Sequence, residues 1–289
     1  MKILVSTDSS CLVNYESLNK YNINVFPLNV IVDGEEYLDG ITINQDQLCK
    51  AMRAKKRINT STPPLGDVIE YFEKLLAQGY DHIIHFTISS KLSSMNQLFN
   101  NVAKEHFAGK VTIIDSYGLT TLMLSHVLFA YDEVQKGTSV QDIVKKVEER
   151  KQNSYIVFVP ENLDALKNGG RISPAIAVIG NMLGIKPLIN LTDGELKKEN
   201  MVRNVKKTFV DKLNECLIQY PQTEYDYSFI KFDAMPTVYN YIVDNAKAQL
   251  GSNVVEGIIP INVCAHCGPG TIGMIVSPKI NGKSLSEFI

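Results

Sequence analysis

The stretch HIIHFTISSKLSS, His82 to Ser94, decides how this chain is read. His82 to Ile88 is an apolar run of strand length, and it passes directly into four serines, Ser89, Ser90, Ser93 and Ser94. Capping a following helix needs one hydroxyl, so a crowd of them at a strand-to-helix turn suggests a ligand-facing loop. Working outward, Ile3 to Thr7, Val25 to Val32 and Val111 to Asp115 have the same strand character. Helical stretches separate them. Asn44 with Gln47 forms a capping pair that opens a helix to about Lys55. Leu65 to Gln78 carries Val68, Ile69, Phe72, Leu75 and Leu76 at helical spacing and ends at Gly79. Leu119 to Lys136 and Ser139 to Lys151 read as two more helices. Strands alternating with helices imply a mostly parallel sheet with helices on its faces. Asp33-Gly34 reads as a hairpin turn.

After the strand Tyr155 to Val159, Pro160 and the polar Glu161-Asn162 mark a change of region. With 289 residues favouring two units, the expected division is an N-terminal α/β lobe over 1–160 and a mixed α/β C-terminal lobe over 161–289. The second half reads as a helix, the strand Pro187 to Leu191, a Thr192-Asp193-Gly194 turn and a long helix to about Ile218. There follow the strand Ser228 to Phe232, the helix Thr237 to Leu250 and the strand Val254 to Ile259. Pro260 and Gly268 then bracket one short helix, with His266 in its last turn, before a strand over Thr271 to Val276.

Bulk properties exclude several functions. Hydrophobic residues at 45% and charged residues at 21% place the chain among globular proteins rather than disordered ones. A formal net charge of −2 argues against nucleic acid as a partner. The sequence contains no leader pattern and no apolar run long enough to span a membrane, so a cytoplasmic location is expected. Five scattered cysteines fit a reducing compartment; Cys264 and Cys267 form a CxxC without the further ligands a structural zinc needs, so no metal is expected.

Four segments concentrate small polar residues, glycines and prolines near element ends: Thr60 to Pro64, Ser89 to Ser94, Asn168 to Pro174, and His266 to Gly273. Caps and turns account for each alone; four together point to a polar cleft. No phosphate-binding glycine motif follows the first strand, which ends in Asp8-Ser9-Ser10, so neither a nucleotide nor another cofactor is expected. An ester-cleaving or acyl-transferring enzyme with Ser93 as nucleophile and His266 as base is the rival reading, although no GxSxG elbow is present.

In order and spacing, these segments resemble the DegV family, whose members include the fatty-acid-binding subunits of bacterial fatty acid kinases. Thr7 to Ser10 (TDSS) stands at the family's TDS, and Thr60 to Pro63 at its TSxP. Ser89 to Ser93 corresponds to SSxLS, Asp115-Ser116 to a DS after a strand, Gly170 to Ser173 to GRIS, and His266 to Gly273 to HxGPGxxG. Lys91, Ser94 and Met95 replace the usual glycine, glycine and threonine, and Pro64 stands where a small residue is common. The resemblance implies a long-chain fatty acid clasped between two lobes, its carboxylate held by Thr60, Ser61, Ser93 and His266. Ser94, Arg171, Gly268, Gly270 and Thr271 would line the cleft and its mouth. It also implies an ATP-binding kinase subunit that performs the chemistry, so the chain itself is expected to be a carrier rather than an enzyme. Transient membrane contact would serve lipid exchange.

An unpaired buried carboxylate is costly, and hydroxyls and an imidazole supply the donors it needs. A tail of roughly 14 methylenes would contribute on the order of 10 kcal/mol before ordering costs. Ala175 to Ile185 is apolar on nearly every helical face and is the expected tunnel wall. Lys197, Lys198, Arg203, Lys206, Lys207 and Lys212 cluster around an expected helix start. Arg171, Arg203 and Lys206 are the candidate docking cations for an acidic partner.

Overall fold

The computed structural model describes residues 1–11, 15–172 and 184–289. Its first half contains β1 (Ile3–Asp8), α1 (Tyr15–Asn19), β2 (Asn24–Phe26), β3 (Asn29–Val32), β4 (Glu35–Leu38), α2 (Gln45–Arg53) and β5 (Ile58–Ser61). These are followed by α3 (Leu65–Leu76), β6 (His82–Thr87), α4 (Met95–His106), β7 (Val111–Asp115), α5 (Thr120–Gln135) and α6 (Val140–Lys151). Strands β2-β1-β6-β7 form an all-parallel sheet in that order. Consecutive residues point to opposite faces. Leu4 and Ile83 therefore pack with Val68 and Phe72 of α3 and Phe99 of α4, while Val5 and Ile84 meet Met123 and Val127 of α5 and Ile143 of α6.

Val25 to Val32, expected as one strand, is two. Pro27 interrupts it, lacking the N–H that a continuous ladder would use. Asn24–Phe26 stays with the parallel sheet, whereas Asn29–Val32 joins a small antiparallel sheet of order β4-β3-β5. Thr60 and Ser61 end β5, opposite Val30 and Asn29, just before the prolines that lead into α3.

The second half contains β8 (Tyr155–Val159), α7 (Asp164–Asn168), β9 (Lys186–Thr192), β10 (Glu195–Val202), α8 (Val205–Gln219), β11 (Tyr225–Phe232), α9 (Pro236–Leu250), β12 (Val254–Ile258), α10 (Ile261–Cys267) and β13 (Thr271–Pro278). Its mixed sheet runs β10-β9-β8-β13-β11-β12. Two expectations change here. β8 pairs with β13 and β9, so the division expected at 160 falls after a strand of the second sheet; the change of sheet occurs in the short link before Tyr155. The long helix expected directly after Asp193-Gly194 is preceded by a hairpin strand, because both turn residues adopt positive φ (53° and 76°), the geometry of a tight hairpin turn. Lys197 and Lys198 thus lie on β10, and only the later cations of the cluster flank the start of α8.

One face of this sheet, with Val157, Phe229 and Met274, packs on α8 and α9; the other, with Ile156, Ile189 and Ile230, faces α10 and the small sheet. After β13 the chain returns to the first layer, where Leu285 and Phe288 are buried. Asp226 fixes that return by accepting hydrogen bonds from Ser284 Oγ and the Leu285 N–H, each at 2.8 Å. The Arg150 guanidinium donates to the carbonyls of Pro278 and Lys279, each at 2.8 Å. Among the described residues no helix is long and apolar enough to cross a membrane.

Asp39 joins the layers. It accepts from Ser9 Oγ at 2.9 Å, from the Ile261 N–H at 3.1 Å and from the Asn262 N–H at 3.2 Å. Burial raises its pKa to about 6 in spite of these donors. Asp39→Asn places an NH₂ where an oxygen now accepts, and urea unfolding at pH 7 should show a loss of about 1–3 kcal/mol. The native carboxyl titrates near 6, against about 3.9 for an unfolded Asp. Its protonation favours the folded state, so its contribution is full below the unfolded value and is lost as pH rises through the folded one. The stability gap between the native protein and Asp39→Asn should be wider at pH 5 than at pH 7, and an equal gap would contradict the assigned titration.

Candidate functional site

The inner face of the second sheet forms one wall of a cavity of about 930 Å³, counted out to its open mouth. Ile156 and Phe158 of β8, Leu191 of β9, Leu196 of β10 and Ile230 of β11 line this wall. Leu28, Ile88, Leu92, Leu119 and Val263 close the other side, so most of the enclosed surface is apolar.

Polar groups gather where β5, α10 and the β6–α4 loop meet. Thr60, Ser61, Ser93, Arg171 and His266 all line the cavity there. Thr60 Oγ1 and His266 Nε2 are 2.9 Å apart. Burial, and secondarily the charge of Arg171, lowers the His266 pKa to about 4, so the ring is neutral near pH 7. A neutral ring carries one N–H. Its Nδ1 has no hydrogen-bond partner and lies against Gly169, where any Cβ would strike the ring. Placing the proton on Nε2 leaves only an acceptor unpaired and makes the imidazole a donor to Thr60. The Thr60 hydroxyl proton is then free to point into the cavity.

Ser93 is arranged in a similar way. Its Oγ accepts the Met95 N–H at 3.3 Å, which leaves its own O–H available. Ser89 is occupied instead in joining the layers, donating to the Gly194 carbonyl at 2.7 Å. Arg171 is half-buried; its Nε donates to the Leu92 carbonyl at 3.1 Å and Nη1 to the Gly169 carbonyl at 2.5 Å. Burial lowers its pKa.

Not every expected site residue joins this group. Ser94, Gly268 and Gly270 are absent from the cavity wall. Thr271 reaches the wall, but its hydroxyl donates to the carbonyls of Cys267 and Gly268, at 3.0 and 2.8 Å. Gly268 and Gly270 take φ of 78° and 84°, and a Cβ on Gly270 would collide with Glu161, so their role is to shape the turn after His266. Arg203 and Lys206 lie away from the cavity, with Lys206 over the Tyr241 ring at 4.9 Å. Ser93 and His266 share no hydrogen bond: Nε2 is 2.9 Å from Thr60 Oγ1 and Nδ1 lies against Gly169. The expected tunnel segment Ala175 to Ile185 lies, except for Gly184 and Ile185, outside the described residues. Cys264 and Cys267 are buried free thiols, and the described residues contain no group of three or more His, Cys, Asp or Glu able to hold a metal.

The sheet wall escaped the sequence reading. Alternation in Tyr155 to Val159 was its only local signal, since it marks Ile156 and Phe158 as sharing a face. Asn262 also lines the cavity, and its signal was a polar residue inside the apolar run Ile258 to Ala265.

A family model described as an uncharacterised protein of the DegV family matches residues 2–279. A DegV domain-containing protein of Clostridium acetobutylicum is 28% identical over 279 residues, covering 96% of this chain and 99% of that protein. Among solved structures, a DegV family protein of Thermus thermophilus described as fatty acid binding superposes with a TM-score of 0.88 at 24% identity, covering 96% of this chain and 100% of that one. A stearic acid-binding protein of Eubacterium ventriosum gives 0.83, also at 24% identity, covering 96% of this chain and 98% of that one. These structural likenesses show a shared fold, and the family match extends across both sheets, from the start of β1 to the end of β13. The chain belongs to the DegV family.

Proposed function

We propose that this protein is a cytoplasmic carrier that holds a long-chain fatty acid in the cavity and presents its carboxylate to an ATP-dependent kinase partner. The observation that carries this reading is an apolar cavity ending in the Thr60–His266 couple and Ser93, whose hydroxyl protons are free to donate. Solved relatives described as binding fatty acid, and stearic acid in one case, support the choice of ligand.

Thr60 and Ser93 donate to the carboxylate, Ser61 adds a hydroxyl at the same end, and the remaining N–H groups of Arg171 lend positive charge. His266 acts through Thr60, fixing the direction of its hydroxyl. Hydroxyl donors leave the carboxylate oxygens able to attack a phosphoryl group, whereas a bidentate arginine would occupy both. The kinase supplies that phosphoryl group. Arg203 and Lys206, exposed or half-exposed around the start of α8, are its proposed docking cations, together with Arg171 at the cavity. Loading and unloading of the ligand take place during transient membrane contact. The two sheets correspond to the two lobes that clasp the acid.

Native mass spectrometry followed by lipid extraction should recover a fatty acid with the purified protein. Empty protein that also refuses added palmitate and oleate would exclude the proposal. Thr60→Ala combined with Ser93→Ala should weaken uptake by about 100-fold, from two hydrogen bonds to a charged group at about 1.5 kcal/mol each. Unchanged affinity in that double variant would remove both hydroxyls from the site.

The hydrolase reading makes the opposite prediction at Ser93. With no base on its hydroxyl, a fluorophosphonate probe should fail to label Ser93 during hours of incubation, and rapid stoichiometric labelling would reinstate the enzyme.

A further inference from the structure

Asn262 is a polar residue in an apolar stretch of the cavity wall, and it is only 6% exposed. Its backbone N–H is held by Asp39. Its Nδ2 donates to Ser10 Oγ at 2.7 Å. Neither Ser10 nor Asp39 lines the cavity, whereas Asn262 does, and Oδ1 is the arm of its amide that neither of them engages. That oxygen is buried from water and has no hydrogen-bond partner. A buried acceptor left unpaired is a penalty that a donor on the ligand would relieve.

Asn262 and His266 are four residues apart on α10, on one helix face and about 6 Å apart along its axis. A donor that meets Asn262 therefore lies close to the carboxyl end of the bound chain. We propose that the cavity is selective for a fatty acid bearing a hydroxyl a few carbons from its carboxylate, the 3-hydroxy acid being the simplest case. The hydroxyl donates to Asn262 Oδ1 while the carboxylate rests on Thr60 and Ser93. This selectivity rests on the fatty-acid reading above. It follows the general behaviour of sites built to hydrogen-bond a substrate hydroxyl, which discriminate against the analogue that lacks it.

The test compares palmitate with 3-hydroxypalmitate, by titration below their aggregation concentrations, on the native protein and on Asn262→Val. The native protein should bind the hydroxy acid about tenfold more tightly, and the variant should lose that preference. Equal affinities in the native protein would overturn the assignment, because an ordered water would then satisfy Oδ1 with either ligand. A preference that survives in Asn262→Val would overturn it as well. Asn262 also holds Ser10, so if the variant does not fold, the native ratio alone decides. Binding of palmitate without preference removes only the hydroxyl selectivity; binding of neither acid removes the fatty-acid reading with it.

Discussion

Asp39 is the constraint on which the arrangement depends. It is 2% exposed, and its three donors come from the turn after β1 and from the first two residues of α10. A carboxylate taken out of water has to be surrounded by donors. Meeting that requirement brings together segments more than two hundred residues apart in the chain. The position of α10 then determines where His266 stands, and His266 determines the direction of the Thr60 hydroxyl. Asp8, at the end of β1, works by the same logic. It accepts the N–H groups of Ser10 and Ile88, at 2.8 and 2.7 Å, and so ties the end of β6 to the end of β1 just before the serine-rich turn.

Local chemistry was legible in the sequence, whereas pairing between distant segments was not. The capping box of Asn44 and Gln47 forms as expected, Pro260 and Gly268 bound their short helix, and β8 matches its expected range. Each is set by a few neighbouring residues. Pro27 shows the limit: the proline was visible, but its effect of passing the chain to another sheet depends on what β3 finds to pair with. The turn at Asp193-Gly194 was expected to lead straight into a helix, with the lysines of β10 around its start, because the pairing of β10 with β9 has no local mark. Thr60, Ser61, Ser93, Arg171 and His266, singled out in the sequence because hydroxyls, glycines and prolines cluster around them at element ends, all line the cavity. The apolar wall was not legible, since Ile156, Leu191, Leu196 and Ile230 share a face only through the order of the strands.

The polar end is economical in charge. The imidazole is neutral, the hydroxyls are dipoles, and the Arg171 guanidinium is partly engaged by two backbone carbonyls. Such an end offers hydrogen-bond donors and dipoles more than full charges. Gly169 shows how tightly it is assembled, because the space a side chain would need there is filled by the His266 ring.

The position of β13 has a consequence for how the molecule is made. It lies between β8 and β11, both synthesised well before it, so the second sheet has a gap at its centre until Thr271–Pro278 emerges. On the ribosome the parallel sheet can close early, while β8 and β11 wait with unpaired edges for a strand encoded near the end of the message. Ile156, Phe158 and Ile230 therefore meet as a wall only once nearly the whole chain is present. The cavity is therefore missing from a nascent chain until β13 has been translated.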